Sequence, residues 1–199
     1  MDKIILHLFD ARKHTLSELF SLTKVNEEEI AFLSKFKNID IKKEKLISYY
    51  LKKKYVGEYS HNEYGKPISD NIFFNISNSK GIVLLATSQN HDIGVDIEIL
   101  RPNDESLIKY TTNEQEYAYI KNEVDFLSIW TSKESLMKCI GTGIRNKIKE
   151  IPALPLNAQK VYNGQNFFNK TFKYNDYIIS ITTCGDEEFE YQLILENFN

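Results

Sequence analysis

The sequence contains little cysteine, since its 199 residues include only Cys139 and Cys184. Two cysteines cannot form a disulfide framework or a zinc module, both of which need more of them at defined spacings. Both lie among apolar residues, as small core side chains do. A disulfide-stapled fold and a structural zinc site are therefore excluded.

Long apolar runs and a positive net charge are also missing. No stretch approaches the roughly 20 unbroken apolar residues that a transmembrane helix needs. The apolar start of the chain is too short for a signal peptide, and no small-residue cleavage site follows it. A net charge of −3 excludes a generally basic nucleic-acid-binding protein. We therefore expect a cytoplasmic protein that binds neither membranes nor nucleic acids.

Positive charge is nevertheless concentrated in residues 35–54, where Asp40 and Glu44 are the only acids. Such a stretch would attract an anionic ligand. It could equally be the solvated face of a helix, and spacing alone does not decide between the two. The basic residues are Lys35, Lys37, Lys42, Lys43, Lys45, Lys52, Lys53 and Lys54.

The pattern of apolar residues predicts strands and helices in blocks. Strands are expected over residues 4–9, 72–76, 82–86, 93–99, 169–174, 177–184 and 189–195. Helical spacing predicts a helix in the lysine stretch and a longer one over 124–140, ended by Gly141. Residues 58–70 are predicted to be a loop, and 77–81 a turn. This order favours an α+β fold over a doubly wound sheet.

Asp96 and Glu98 lie two residues apart on the predicted strand 93–99 and therefore point to the same face, roughly 6 to 7 Å apart at their Cα atoms. Hard carboxylate oxygens at this spacing suit Mg²⁺, which fills its other positions with water and phosphate. A polar outer face of a half-buried strand is the alternative. Gly94 on the same face suggests close approach by a ligand or another backbone.

The helix predicted over 124–140 carries Lys133 on its apolar stripe, between Trp130 and Met137. A buried ammonium is costly unless an anion accompanies it, and a phosphate ligand would supply one. Glu134 and Lys138 are four residues apart, which is also the spacing of an ordinary surface ion pair on a helix.

Each of these features is weak alone, but their order and spacing along the chain are specific. The sequence resembles the 4′-phosphopantetheinyl transferase superfamily, in particular its longer single-chain type associated with activation of surfactin synthetase. The resemblance covers about residues 35 to 145. The motifs that carry it are Gly65-Lys66-Pro67, Asn75-Ile76-Ser77-Asn78-Ser79, Gly94-Val95-Asp96-Ile97-Glu98, Tyr110-Thr111-x-x-Glu114 and Trp130-x-x-Lys133-Glu134-x-x-x-Lys138-x-x-Gly141-Thr142-Gly143.

The resemblance implies a set of functional residues. Asp96, Glu98 and Glu134 would bind Mg²⁺, with Mn²⁺ as an alternative ion. Coenzyme A would be bound by Lys66, Ser77 and Lys138, and its pyrophosphate would be stabilised by Lys133 and Lys138. Glu114 would lie near the metal, although Thr111 and Glu114 also have the spacing of a helix capping box. For the 3′-phosphate, the candidates are Lys35, Lys43 and Lys45.

The implied reaction transfers the 4′-phosphopantetheine arm of coenzyme A to a serine of an apo acyl or peptidyl carrier protein, releasing 3′,5′-ADP. This is holo-[acyl-carrier-protein] synthase activity. Metal and lysines would neutralise the phosphoryl charge. The base would be Glu134 or a metal-bound water near it. One departure is Asn78, because the family usually has a histidine there that contacts phosphate. Asparagine can still donate a hydrogen bond but cannot carry positive charge. Weaker coenzyme A binding or an altered phosphate contact is therefore expected, without loss of the chemistry.

The implied fold is two similar halves about a pseudo-twofold axis, residues 1–102 and 103–199, with the site in the cleft between them. The break at Arg101-Pro102-Asn103 fits this boundary. Residues 1–102 would carry the coenzyme A phosphate contacts and the metal strand, and residues 103–199 the catalytic helix. One chain supplies both halves, so a monomer is expected. Two rival functions are a magnesium-dependent enzyme acting on another nucleotide pyrophosphate and a non-catalytic module that recognises carrier proteins.

Overall fold

The computed structural model describes residues 3–142 and 148–197. Its first part is a strand followed by three helices, α1 (Leu16–Thr23), α2 (Glu27–Ser34) and α3 (Ile39–Tyr55). The strand is β1 (Lys3–Asp10), which confirms the prediction for residues 4–9. Side chains cap all three helices: Thr15 and Asn26 form capping boxes, and Asn38 accepts from two backbone N–H groups at the start of α3.

The next part is rich in strands and differs from the sequence prediction at two places. The segment predicted as a loop contains the short hairpin β2 (Ser60–His61) and β3 (Pro67–Ile68). Strand β4 (Phe73–Ser79) includes residues 77–79, which were predicted to be a turn. The turn itself is Lys80-Gly81, both with positive φ. Strands β5 (Ile82–Ser88) and β6 (Ile93–Ile99) follow as predicted.

Helices α4 (Glu105–Thr111), α5 (Glu114–Tyr119) and α6 (Glu123–Ile140) come next. The predicted capping box of Thr111 with Glu114 is wrong, because Thr111 ends α4 and its hydroxyl donates to the Leu107 carbonyl. The capping box at α5 is formed by Asn113 and Glu116. As predicted, Gly141 ends α6, with φ of 77°. Gly143 lies outside the described residues.

The C-terminal part consists of strands β7 (Gln159–Tyr162), β8 (Gln165–Tyr174), β9 (Tyr177–Cys184) and β10 (Glu190–Glu196). The order β10-β1-β5-β4 forms the first four-stranded sheet, and β6-β9-β8-β7 forms the second. In the first sheet β1 and β10 are parallel, and the other neighbours in both sheets are antiparallel. The architecture is α+β, as predicted.

The two sheets exchange strands across the predicted boundary at residue 102. Strand β6 precedes it but lies in the second sheet beside β9, and β10 follows it but pairs with β1 in the first. The division into 1–102 and 103–199, and the pseudo-twofold arrangement, therefore stay predictions.

Apolar side chains pack between the two sheets and against their outer faces. One core cluster joins both sheets and includes Leu6, Leu84, Val95 and Ile179. A second packs α1 and α3 on the opposite face of the first sheet, and two more pack helix α6 on the second. Within the described ranges, no helix is both long and apolar enough to span a bilayer.

Candidate active site

Strand β6 and helix α6 meet at Gly94, which brings their acidic residues together. A Cβ atom at this position would lie 1.9 Å from the Ser135 carbonyl oxygen and 2.4 Å from the Cys139 amide nitrogen. No side chain fits such a gap, so the approach of the helix to the strand requires glycine. The close approach that Gly94 indicated in the sequence is therefore made by the backbone of α6.

The edges of the two sheets meet at β4 and β6 through side chains instead of a backbone ladder. Asn75 accepts a hydrogen bond from the Val95 N–H group at 3.1 Å. Ser79 accepts one from the Ile99 N–H group at 3.2 Å. We call this line of contacts the β4–β6 seam, and the acidic residues of β6 lie along it.

Asp96 is the centre of the polar contacts at the seam and is 5% exposed. Its Oδ1 accepts from the Ser77 hydroxyl at 2.8 Å and from the Lys138 ammonium at 2.7 Å, and Lys138 also donates to Ser77. Among the described buried side chains, the other carboxylate oxygen, Oδ2, is the atom left without a hydrogen-bond partner. Buried polar atoms are nearly always paired, so this oxygen is suited to a ligand.

Glu98 and Glu134 open into the same cavity as Asp96. Glu98 accepts from the Ser79 hydroxyl at 3.0 Å and from Arg101 at 3.2 Å. The cavity has a volume of about 300 Å³ and combines acids, a lysine and hydrogen-bonding side chains. Its lining residues are Ile76, Ser77, Asn78, Asp96, Glu98, Trp130, Glu134 and Lys138.

Burial raises the pKa of Glu134 from 4.5 to about 7, and the nearby charge of Asp96 adds to this effect while Lys138 opposes it. A carboxyl group with such a pKa changes charge near neutral pH. Perturbed pKa values of this kind are typical of functional sites, and a carboxylate of raised pKa is a stronger base.

The cavity offers the oxygen donors that Mg²⁺ prefers. The three carboxylates are not held as a compact cage, because among residues 3–142 and 148–197 no group of three acidic, histidine or cysteine side chains is close enough to hold an ion. Mg²⁺ usually takes only one or two protein carboxylates together with water and substrate phosphate. The donor set and the unpaired Asp96 oxygen therefore fit such an ion.

Lys66, which the resemblance assigns to coenzyme A, is held at the end of α6. Its ammonium donates to Asp92 and to the Cys139 carbonyl, both at 2.7 Å, and its side chain is 9% exposed. Asn62 on the same hairpin donates to the Gly141 carbonyl. A second cavity of about 250 Å³ lies here and shares residues with the first; it is lined by Tyr64, Gly65, Lys66, Pro67, Asn75, Ile76, Glu134, Met137, Lys138 and Gly141.

Asn78 of β4 reaches the cavity that contains Asp96 and is held by a residue that sequence reasoning missed. Its side-chain NH₂ group donates to Glu44 of α3 at 2.5 Å. Glu44 had been noted only as one of two acids in the lysine stretch. Nothing in the sequence pairs it with a residue 34 positions away.

The three lysines proposed for the 3′-phosphate are dispersed. Lys45 lines a groove of about 950 Å³ that also contains Asn78, Lys52 and Lys53. Lys35 lies over the Phe32 ring instead, and Lys43 is half-buried on α3. Sequence reasoning did not single out Lys52, which donates to the Tyr59 hydroxyl; burial lowers its pKa to about 8.

Lys133 does not line the cavity that contains Asp96, although it precedes Glu134 in the sequence motif of α6. It is fully buried, and its ammonium forms an ion pair with Glu116 at 2.6 Å. The same ammonium donates to the carbonyls of Thr111 and Ile148. The anion that Lys133 requires is therefore a protein carboxylate. Glu114, the residue expected near the metal, is exposed on α5.

About half of the chain is similar in sequence to known proteins. Residues 92–184 match the family model of the 4′-phosphopantetheinyl transferase superfamily. The chain is 37% identical over 112 residues to the 4′-phosphopantetheinyl transferase gsp of Aneurinibacillus migulanus, covering 53% of this chain and 47% of the relative. It is 33% identical over 108 residues to the 4′-phosphopantetheinyl transferase HetI of Nostoc sp., covering 47% and 45%.

The match thus spans about half the length of these relatives. It includes β6 and α6, which carry Asp96, Glu98, Glu134 and Lys138. Residues 92–184 are therefore similar to the 4′-phosphopantetheinyl transferase superfamily.

Proposed function

We propose that this protein transfers the 4′-phosphopantetheine arm of coenzyme A to a serine of an apo acyl or peptidyl carrier protein, with 3′,5′-ADP as the second product. The observation that supports this best is the cavity at the β4–β6 seam, where three carboxylates face Lys138 and one buried oxygen of Asp96 has no partner. Both relatives are named 4′-phosphopantetheinyl transferases, which supports the proposal.

Asp96, Glu98 and Glu134 are our candidates for holding Mg²⁺, or Mn²⁺ in its place. The ion would neutralise charge on the pyrophosphate oxygens. The oxygen donors and the unpaired Asp96 Oδ2 support this assignment. Ser77 and Lys138 hold the other oxygen of Asp96 and so orient its carboxylate.

Lys138 has a second task in this scheme, because its ammonium lies in the same cavity and would bind phosphoryl oxygens of the leaving 3′,5′-ADP. Lys66 lies beside it at the end of α6 and would bind coenzyme A if Asp92, whose side chain is half-exposed, gives way. Lys133 is left out of this set because its donors are already used by Glu116 and two carbonyls.

Glu134 is our candidate for the base that takes the proton of the carrier serine. A carboxyl group with a pKa of about 7 is deprotonated in a large fraction of molecules at neutral pH and is more basic than an ordinary glutamate. Its place beside Asp96 and Lys138 puts it next to the phosphoryl group that the serine would attack.

The test is to mix the protein with coenzyme A, Mg²⁺ and an apo carrier protein and to weigh the carrier by mass spectrometry. Carriers of fatty-acid, polyketide and nonribosomal peptide synthesis are each tried. A gain of one phosphopantetheine arm is expected. If no carrier gains mass, the proposed transfer is wrong. Nucleotide release without a carrier would favour a hydrolase, and carrier binding without transfer would favour a recognition module.

Asp96→Ala gives the matched control for this assay. The substitution removes the unpaired oxygen and leaves Lys138 and Ser77 without their acceptor. We expect transfer to be lost while the thermal unfolding transition stays cooperative. Full activity of this variant would remove Asp96 from the site. A monomer of cytoplasmic location remains our expectation, and light scattering tests the oligomeric state.

A further inference from the structure

Glu44 is a buried acid that the proposed function does not use. It lies on α3 with 7% of its surface exposed. Its Oε2 atom accepts from the Asn78 NH₂ group at 2.5 Å, and its Oε1 atom accepts from the Gly81 N–H group at 2.6 Å. A buried carboxylate needs such donors. Glu44 thereby ties α3 to the hairpin of β4 and β5.

This contact fixes the direction of the Asn78 amide. An ionised carboxylate can only accept hydrogen bonds, so the NH₂ group of Asn78 has to face Glu44. Its carbonyl oxygen, Oδ1, then lies on the opposite side of the planar amide. Asn78 lines both the cavity that contains Asp96 and the groove that contains Lys45. With the NH₂ group held by Glu44, the carbonyl oxygen is the end of the amide that a ligand can contact.

An acceptor at this position does not suit a phosphate group. Phosphate oxygens carry negative charge, and the carbonyl oxygen of Asn78 with the Glu44 carboxylate behind it would repel them. A hydroxyl or an amide N–H group would instead donate to the oxygen. Two such donors would enter the cavity in the proposed reaction: the hydroxyl of the carrier serine and an amide of the pantetheine arm.

We propose that Glu44 is a positioning residue which turns Asn78 so that its carbonyl oxygen accepts a hydrogen bond from a substrate O–H or N–H group and makes no phosphate contact. This inference rests on the proposed function for the identity of the donors. It departs from the expectation that Asn78 replaces a phosphate-binding histidine with a weaker donor.

Glu44→Gln tests the orientation by reversing it. The carbonyl of the introduced glutamine can keep the bond from the Gly81 N–H group, and its NH₂ group then requires the Asn78 oxygen as its acceptor. The Asn78 amide would turn over and present its NH₂ group to the cavity. The expected result is a Kd for 3′,5′-ADP that falls about threefold, by one added hydrogen bond. The transfer rate falls about tenfold because the acceptor is lost.

The matched control places Glu44→Gln in the Asn78→Ala background, where both effects should disappear. Equal effects in the two backgrounds would show that Glu44 acts through its charge or the fold, which overturns the proposal. Weaker binding of 3′,5′-ADP in Glu44→Gln alone would also overturn it, because Asn78 would already be donating to phosphate.

Asn78→Ala alone distinguishes the two donors by calorimetry. Weaker binding of coenzyme A with unchanged binding of 3′,5′-ADP points to the pantetheine amide. Unchanged binding of both ligands with a slower transfer points to the carrier serine. Weaker binding of 3′,5′-ADP identifies a phosphate contact and contradicts the proposal.

A measurement without ligand separates this inference from the proposed function. The NMR signal of the Asn78 NH₂ group, assigned by its loss in Asn78→Ala, should shift in Glu44→Gln because its carboxylate partner is gone. An unshifted signal would show that Glu44 does not hold the amide. This outcome is independent of the carrier assay, so either proposal can fail alone.

Discussion

The surroundings of Glu134 disfavour the charged form of its carboxyl group. Burial and the neighbouring Asp96 raise its pKa to about 7, so it is partly protonated at neutral pH. The carboxylate form is needed for a base or a metal ligand. At limiting Mg²⁺, where the ion and protons compete for this carboxylate, we therefore expect kcat/KM for transfer to rise with pH through about 7 and to level above it. A rate profile across neutral pH measures this.

Glu134→Gln is the control, and stability provides a second readout. The pKa of Glu134 is higher in the folded state, about 7, than its ordinary value of 4.5. Its contribution to folding stability is therefore fully present below pH 4.5 and is lost as the pH rises through about 7. Wild type should therefore lose stability relative to Glu134→Gln as the pH rises between these two values. A constant difference across this range would contradict the raised pKa.

Lys133 stands beside Glu134 in the sequence motif, but the fold pairs it with Glu116. Lys133→Met would leave the buried Glu116 carboxylate unpaired, and we expect a loss of about 3–5 kcal/mol in the free energy of unfolding. Urea denaturation measures this loss. Combining the change with Glu116→Gln should restore part of the stability. Native stability with abolished transfer would instead return Lys133 to the catalytic set.

For single residues, the sequence predicted which side chains line the cavity better than it predicted their hydrogen-bond and ion-pair partners. Asp96, Glu98, Glu134 and Lys138 were chosen by motif, and the structure gathers them around one cavity. The partners Glu44 and Glu116 were missed because their contacts join separate elements. The Asn113–Glu116 capping box has the same spacing as Thr111 and Glu114, so spacing alone could not choose between them.

The pairing of β6 with α6 depends on a glycine at the element scale. An alanine side chain at position 94 would collide with the Ser135 carbonyl. We expect Gly94→Ala to lower the free energy of unfolding by about 1–3 kcal/mol or more, because backbone atoms cannot move aside as side chains do. Transfer should fall as well, since α6 carries Glu134 and β6 carries Asp96. Thermal unfolding and the mass assay measure both effects.

Gly185→Ala is a suitable comparison, because Gly185 has a φ of 118° and open space where a Cβ would lie. It introduces backbone strain without a collision. If Gly94→Ala keeps wild-type stability and activity, the strand and helix are not held by this close approach.

The elements themselves were predictable where a local pattern was strong. Alternation identified β6, and apolar spacing with Gly141 identified α6 and its end. Residues 77–79 were misread because serine and asparagine favour turns. Their strand conformation comes from pairing with β5 and from bonds to Asp96 and Glu98, which no local pattern reveals.

For the whole molecule, the exchange of β6 and β10 between the sheets predicts that neither half folds alone. Residues 1–102 would lack the partner of β6, and residues 103–199 would lack β1, the partner of β10. Each fragment expressed separately should give a poorly dispersed NMR spectrum, and mixing them should restore dispersion. A well-folded separate fragment would contradict this interdependence.

The order of the strands in the two sheets was not predictable from the sequence. The C-terminal strand was predicted as a strand, but its parallel pairing with β1 joins residues from opposite ends of the chain, such as Lys3 and Glu190. Contacts between residues so far apart along the chain depend on the packing of the assembled cores on both faces of each sheet. A single sequence does not directly indicate that packing.

The β4–β6 seam has a consequence for how the molecule responds to its substrates. Strands joined by a backbone ladder lie about 4.8 Å apart, which leaves no space for a phosphate between them. A seam bridged by the side chains of Asn75, Ser77 and Ser79 is not bound to that spacing. A ligand that contacts both β4 and β6 would add further bonds between the two sheets. Substrate binding should therefore stiffen the whole protein as well as occupy a pocket.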